Sequence, residues 1–217
     1  MLGHRAPGSQ ARVLPAYSQR SKTSEQAVPP TRREKYGTLP RALTVPGYTG
    51  ASPDHWMTHL EHLWAGVERV QQHDWNIVER EGWVRRIGDA VEADDSPVIL
   101  IGHSCGAVAC AQYLANSPAP NVLGALLVAP ADVDAEDALS AIRPQAPLPS
   151  ARLKAPTHMI ISDNDPHLRW NRALALAETW GSSVEVVPGG GHIATADGYG
   201  SWPHIVDVLS HLSRSLT

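Results

Sequence analysis

The chain reads as one three-layer α/β domain, about six mostly parallel strands flanked by helices with no large cap, preceded by a basic extension. Three observations predict this. From residue 42 onward, short apolar runs alternate with amphipathic stretches, the pattern of βα units laid on a parallel sheet. The length of 217 residues fits one domain with an appendage. The longest apolar runs, 98–101 and 123–128, are strand-sized and far short of the roughly 18 residues of a membrane helix.

The first strand is 42–45. Pro46, Gly47, Tyr48, Thr49 and Gly50 then form a turn, and Ser52-Pro53 supplies an N-cap and a first-position proline for a helix from 54 to about 64. Trp56, Leu60, Leu63 and Trp64 make its apolar stripe. Residues 67–70 form a weaker second strand, and 79–93 a helix with Trp83, Ile87, Ala90 and Val91 on one face. The run 97–101 is the strongest buried strand, and the helix after it extends to about residue 115. Strands at 122–128, 157–161 and 184–187 follow. A helix spans about 168–180, and 202–212 closes the chain with Ile205, Leu209 and Leu212 inward.

Composition narrows the class. Hydrophobic residues make up 42% and charged residues 18%, which excludes wholesale disorder, collagen and disulfide scaffolds. Residues 1–41 carry eight basic and two acidic groups, so a net charge of -4 for the whole chain leaves -10 on 42–217. An acidic domain argues against a nucleic-acid face. The extension is rich in Arg, Ser, Gln and Pro, lacks periodicity and contains Pro29-Pro30. It is expected to be disordered and lacks the apolar core of a secretory signal, although an Arg-rich, acid-poor composition is also that of a transit peptide. Cys105 and Cys110 lie five apart on one helix, so no disulfide framework is implied and a cytoplasmic location is expected. No membrane association is expected, and the oligomeric state stays open, a monomer sufficing.

The chemistry concentrates at Gly102-His103-Ser104-Cys105-Gly106, directly after an apolar strand and directly before a helix. A nucleophile elbow needs that placement, with the serine at a strained corner and glycines two positions away on either side. A serine hydroxyl near neutral pH needs a base, and the base an orienting acid. In chain order Asp165 follows the strand 157–161 and His192 follows 184–187 after Gly189, Gly190 and Gly191. Both therefore sit at carboxyl ends of strands, where sites of parallel sheets assemble. Asp163 and Asp132 are rival acids, and Asp165 ranks first because Pro166 pushes it toward an extended conformation. The oxyanion donors should be the amide of Cys105 and one from the loop after the first strand. Pro46 has no N-H, which leaves Gly47 or Tyr48, with Tyr48 preferred. His103 should diverge from the serine and pack, while Trp75 and Trp202 either close the rim or pack the core. Gly47, His103 and Trp202 are the candidate pocket residues. His55, His59 and His62 share a helix face but have no acidic or thiol partner in a motif, so they read as a polar face and no metal is expected.

The pieces Val45-Pro46-Gly47, Pro53-Asp54-His55-Trp56, His73-Asp74-Trp75, Gly102 through Ala107, Ser162 through Pro166, Gly191-His192-Ile193 and Gly198 through Pro203 resemble the small serine hydrolases typified by retinoblastoma-binding protein nine and its bacterial relatives. The resemblance spans about 42–213. It implies a compact α/β-hydrolase fold and a triad of Ser104, Asp165 and His192. It leaves the substrate undefined, and with no Leu-x-Cys-x-Glu segment, retinoblastoma-protein binding is not implied. The expected activity is cleavage of small carboxylic esters, with amides or thioesters as extensions, through an acyl-enzyme and without a cofactor. The segment 132–150, with Pro144, Pro147 and Pro149, is the one late insertion long enough to shape specificity. The alternative is a weak or inactive hydrolase scaffold used as a protein-interaction module. A nucleotide-binding reading lacks its glycine motifs where the first strand meets its helix.

Overall fold

Six strands form one sheet in a computed structural model that describes residues 40–64 and 66–216. The extension expected over 1–41 lies outside these residues except for Pro40 and Arg41, and Arg41 already belongs to the first strand. The elements are β1 (Arg41–Val45), α1 (Trp56–Leu63), β2 (Val67–Arg69), α2 (Arg80–Glu92), β3 (Val98–His103), α3 (Cys105–Asn116), β4 (Val122–Val128), β5 (Thr157–Ser162), α4 (Trp170–Trp180), β6 (Ser183–Val187) and α5 (Pro203–Leu216). The sheet order is β2-β1-β3-β4-β5-β6, and every neighbouring pair is parallel.

The alternation of side chains along each strand divides the core into two layers. Leu43, Val45, Val98, Leu100, Ala125, Leu127, Met159 and Ile161 pack with α2, α3 and α4. Ala42, Ile99, Ile101, Leu126, Val128 and Ile160 pack with Trp56, Met57 and Leu60 of α1 and Ile205 and Leu209 of α5. Strands buried on both faces explain the unbroken apolar runs in the sequence.

Two details differ from the sequence reading. Helix α1 begins at Trp56 with His55 as its cap, the ring Nδ1 accepting from the Met57 N-H at 3.2 Å. Ser52 lies three residues before the cap, its carbonyl accepting the His55 N-H and the Thr58 hydroxyl across a turn of Pro53 and Asp54. Leu63 is exposed, since α1 ends there and the chain turns away to β2. Between β4 and β5 the chain builds no cap. It runs as an irregular segment with a single 3-10 turn, Arg143–Gln145, held down by buried Val133, Ile142, Leu148 and Leu153.

The register aligns the carboxyl ends of the strands. Val45 stands beside Gly102, His103 beside Val128, and Ser162 beside Val187, so the loops after β1, β3, β5 and β6 meet at one edge. Helix α3 leaves β3 there with almost no clearance. A Cβ on Gly106 would lie 1.8 Å from the Val45 carbonyl oxygen, and one on Gly102 2.5 Å from the Ala107 Cα. Backbone, not a flexible side chain, occupies both spaces. Gly106→Ala should therefore destabilise the fold by about 3 kcal/mol or more in chemical denaturation. Gly88→Ala, inside α2 with only the Tyr113 ring at an ordinary 3.5 Å, should stabilise by about 0.5–1 kcal/mol. Equal effects would contradict this packing.

Candidate active site

Ser104 sits between β3 and α3 with φ 55° and ψ -125°, a conformation that costs a non-glycine residue about 1–3 kcal/mol. The strain holds because the strand fixes one side, through the Ser104 N-H on the Val128 carbonyl, and the crowded first turn of α3 the other. The serine flanks the helix as its cap residue yet makes no side-chain cap bond. Its hydroxyl instead lies 2.9 Å from His192 Nε2.

His192 Nδ1 is 3.0 Å from both carboxylate oxygens of Asp165. A carboxylate can only accept, so Nδ1 carries the proton and Nε2 is left to accept from Ser104. The Asp165 side chain is 1% exposed and the His192 side chain 13%, so little water competes for either bond. Asp165 Oδ1 also accepts the His167 N-H at 2.8 Å. The rival acids are engaged elsewhere. Asp132 pairs with Arg172 at 3.2 Å, and Asp163 accepts the Gly189 N-H at 2.7 Å.

Further side chains build this geometry, and the sequence reading gives Asn164 and Asp197 no role. Asn164 accepts the Gly191 N-H at 2.7 Å, which with the Asp163 bond ties the β5 loop to the β6 loop. Asp197 accepts the N-H groups of His192 and Ala194 at 3.0 and 3.2 Å. The His103 ring donates to the His192 carbonyl at 2.9 Å, and the Trp56 indole donates to the Ile193 carbonyl at 3.0 Å. Ile193 is fully buried with φ 53°. A β-branched residue adopts that conformation only where its surroundings enforce it. His192 is thus held at its N-H, its carbonyl and its ring.

Of the three pocket candidates, Gly47 alone faces the serine, since a Cβ there would stand 2.7 Å from Ser104 Cβ and 3.2 Å from Oγ. His103 is buried under His192, with ring centroids 5.1 Å apart and Trp56 edge-on at 5.9 Å. Trp202 packs on Trp56 and Tyr199 and lines a cavity of about 660 Å³ with Glu185, Asp197, His204 and Asp207. Trp75 packs under the β1 loop, where its carbonyl accepts the Thr49 N-H at 2.9 Å. That bond orients the segment carrying the Tyr48 amide, while the Tyr48 ring packs against the core. The Cys105 thiol is fully buried, and burial pushes it up to about 11 against a smaller pull from the Tyr48 backbone. It stays protonated at neutral pH, which removes a thiolate route.

His55, expected on a polar helix face, is buried 4.9 Å from the His103 ring. Burial, then Arg69, then His192 lower it to about 4. Burial, then His192 and His55, hold His103 well below its ordinary value. His167, 4.6 Å from the His192 ring, is lowered by burial and by His192. Among the described residues no group of His, Cys, Asp or Glu side chains is arranged to hold a metal. None of their helices is long and apolar enough to cross a membrane.

Comparison with known proteins identifies the family and the fold. The serine hydrolase family model matches residues 42–211. A YdeN-like hydrolase from Pectobacterium atrosepticum superposes with a TM-score of 0.73 at 29% identity, over 81% of this chain and 91% of that one. The ydeN gene product of Bacillus subtilis gives 0.64 at 19% identity, over 80% and 98%. Mouse alpha/beta hydrolase domain-containing protein 10 gives 0.61 at 17%, over 83% and 92%, a likeness of fold alone. No curated protein sequence matches the chain significantly. The chain belongs to the serine hydrolase family, and its fold is the α/β-hydrolase fold without a large cap.

The buried histidines set a stability prediction. The unfolded chain takes a proton on His55 near its ordinary 6.5, whereas the folded chain refuses it until about pH 4. Stability is therefore whole above pH 6.5 and falls as the pH drops toward 4, by about 3 kcal/mol from His55, with His103 acting in the same direction. Urea unfolding across that range should show the decline. His55→Asn, which keeps a capping oxygen, should flatten it by about the His55 share, and an unchanged slope would contradict the assignment.

Proposed function

We propose that this serine hydrolase cleaves small carboxylic esters through a covalent acyl-enzyme, with Ser104 as nucleophile, His192 as general base and acid, and Asp165 as its orienting carboxylate. The observation that supports the reading most is the continuous relay from the Ser104 hydroxyl to His192 Nε2 and from Nδ1 to Asp165. Ser104 Oγ attacks the ester carbonyl as its proton passes to Nε2. The imidazolium so formed is stabilised by Asp165, and the carbonyl oxygen gains negative charge beside the Cys105 and Tyr48 amides. The first N-H groups of a helix have no intrahelical partner, so the Cys105 amide at the start of α3 is free to donate there. Collapse breaks the carbon-oxygen bond, and the leaving alcohol takes the proton from Nε2. Water then loses a proton to His192, attacks the acyl-serine and releases the carboxylic acid and Ser104. No step requires a cofactor.

Small or mobile acyl groups are the expected substrates of this open site. Gly47 presents backbone to the serine where a side chain would collide with it, and the segment after β4 lies against the core rather than forming a cap. Amides and thioesters are secondary substrates in this reading. Two buried thiols suit a reducing, cytoplasmic setting. The test is hydrolysis of p-nitrophenyl acetate and butyrate by the full chain. Ser104→Ala and His192→Ala should lose on the order of 10³-fold or more in kcat, and Asp165→Asn on the order of 10³- to 10⁴-fold. Asp132→Asn and Asp163→Asn should each stay within about tenfold of wild type. A larger loss in either than in Asp165→Asn would contradict the assignment of the acid.

A further inference from the structure

We infer that Gln145 is a positioning residue for the Ser104 elbow, coupling the segment after β4 to the nucleophile through Cys105. The inference rests on the reading of Ser104 as nucleophile.

Gln145 ends the 3-10 turn and is fully buried. Its side-chain Nε2 donates to the Cys105 carbonyl at 2.8 Å, across 40 residues of sequence. Gln112, also fully buried on α3, donates in return to the Gln145 carbonyl at 2.6 Å and to the Pro147 carbonyl at 3.1 Å. The two glutamines close a loop of bonds in which α3 holds the backbone at 145 and 147 while residue 145 holds the first carbonyl of α3.

That carbonyl belongs to the residue after the nucleophile. Helix geometry already directs one N-H to it from the following turn, and the Gln145 amide occupies its second lone pair. The Cys105 carbonyl and amide flank one Cα, so fixing the first restricts the orientation of the second, which faces the developing oxyanion. The bond also opposes relaxation of the strained Ser104 at φ 55°, because easing that backbone would require the first turn of α3 to shift.

Stability alone does not account for an amide here. The side-chain oxygens of both Gln112 and Gln145 are buried without a partner, a desolvation penalty that an apolar side chain of the same length would avoid. What the amide at 145 adds over methionine is the donor to Cys105.

The deciding experiment compares wild type and Gln145→Met, as full chains, in the rate of fluorophosphonate labelling, in kcat and KM on p-nitrophenyl acetate, and in Tm. The variant should label and turn over about 10- to 100-fold more slowly, with KM within about twofold and Tm unchanged or higher. A merely structural glutamine would instead lower rate and Tm together, and that result, or rates equal to wild type, overturns the inference. Should Gln145→Met not fold, Gln145→Asn, an amide one methylene short of Cys105, carries the same expected loss. Wild type that fails to label overturns the hydrolase reading and this inference with it, whereas a labelled wild type beside an equally fast variant overturns the role of Gln145 alone.

Discussion

The contact on which the site depends is the approach of the first turn of α3 to the end of β1, close enough that residue 106 has no room for a side chain against the Val45 carbonyl. That approach allows the chain to reverse from strand to helix within one residue, and the residue at the reversal is Ser104 with its left-handed φ. The same contact brings Gly47 against the serine, so the β1 loop and the start of α3 border one region. Strain at the corner is sustained by a sheet buried on both faces, since neither β3 nor α3 can move without opening the core.

Placing the histidine is a separate problem, and the fold meets it with polar contacts to backbone. His192 lies in a loop, and loops are mobile unless tied. Asp163 and Asn164 fasten its approach, Asp197 its N-H, His103 its carbonyl and Trp56 the residue after it. This arrangement sets His103 and His167 against the His192 ring, and His55 behind His103. Burial and the neighbouring histidines lower the affinity of all three for protons. The expected cost is a fold that loses stability in mild acid.

Much of this was legible in the sequence because it is local or periodic. The apolar runs marked all six strands, and a Gly-x-Ser-x-Gly between strand and helix marked the elbow. The order serine, aspartate, histidine at strand ends indicated which side chains the parallel register would gather. His103 was expected to diverge from the serine and pack, and counting along β3 says against what, because Ile99 and Ile101 face α1 and α5 and residue 103 shares their parity. The burial of His55 was hidden, because a histidine ahead of a helix looks polar until Trp56 and His103 surround it. The contacts of Asn164 and Gln145 were hidden for another reason. Each joins a side chain to the backbone of a different loop or element, and no spacing rule encodes which loops meet. Asp197 differs, since it bonds backbone N-H groups only three and five residues before it.

The central claim is that Ser104 is an activated nucleophile, and intact-protein mass spectrometry after exposure to a fluorophosphonate, followed by peptide mapping, tests it most directly. A single adduct on Ser104, absent from a folded His192→Ala variant, is the predicted result. A folded wild-type protein that remains unmodified, or an adduct on any other residue, would contradict it.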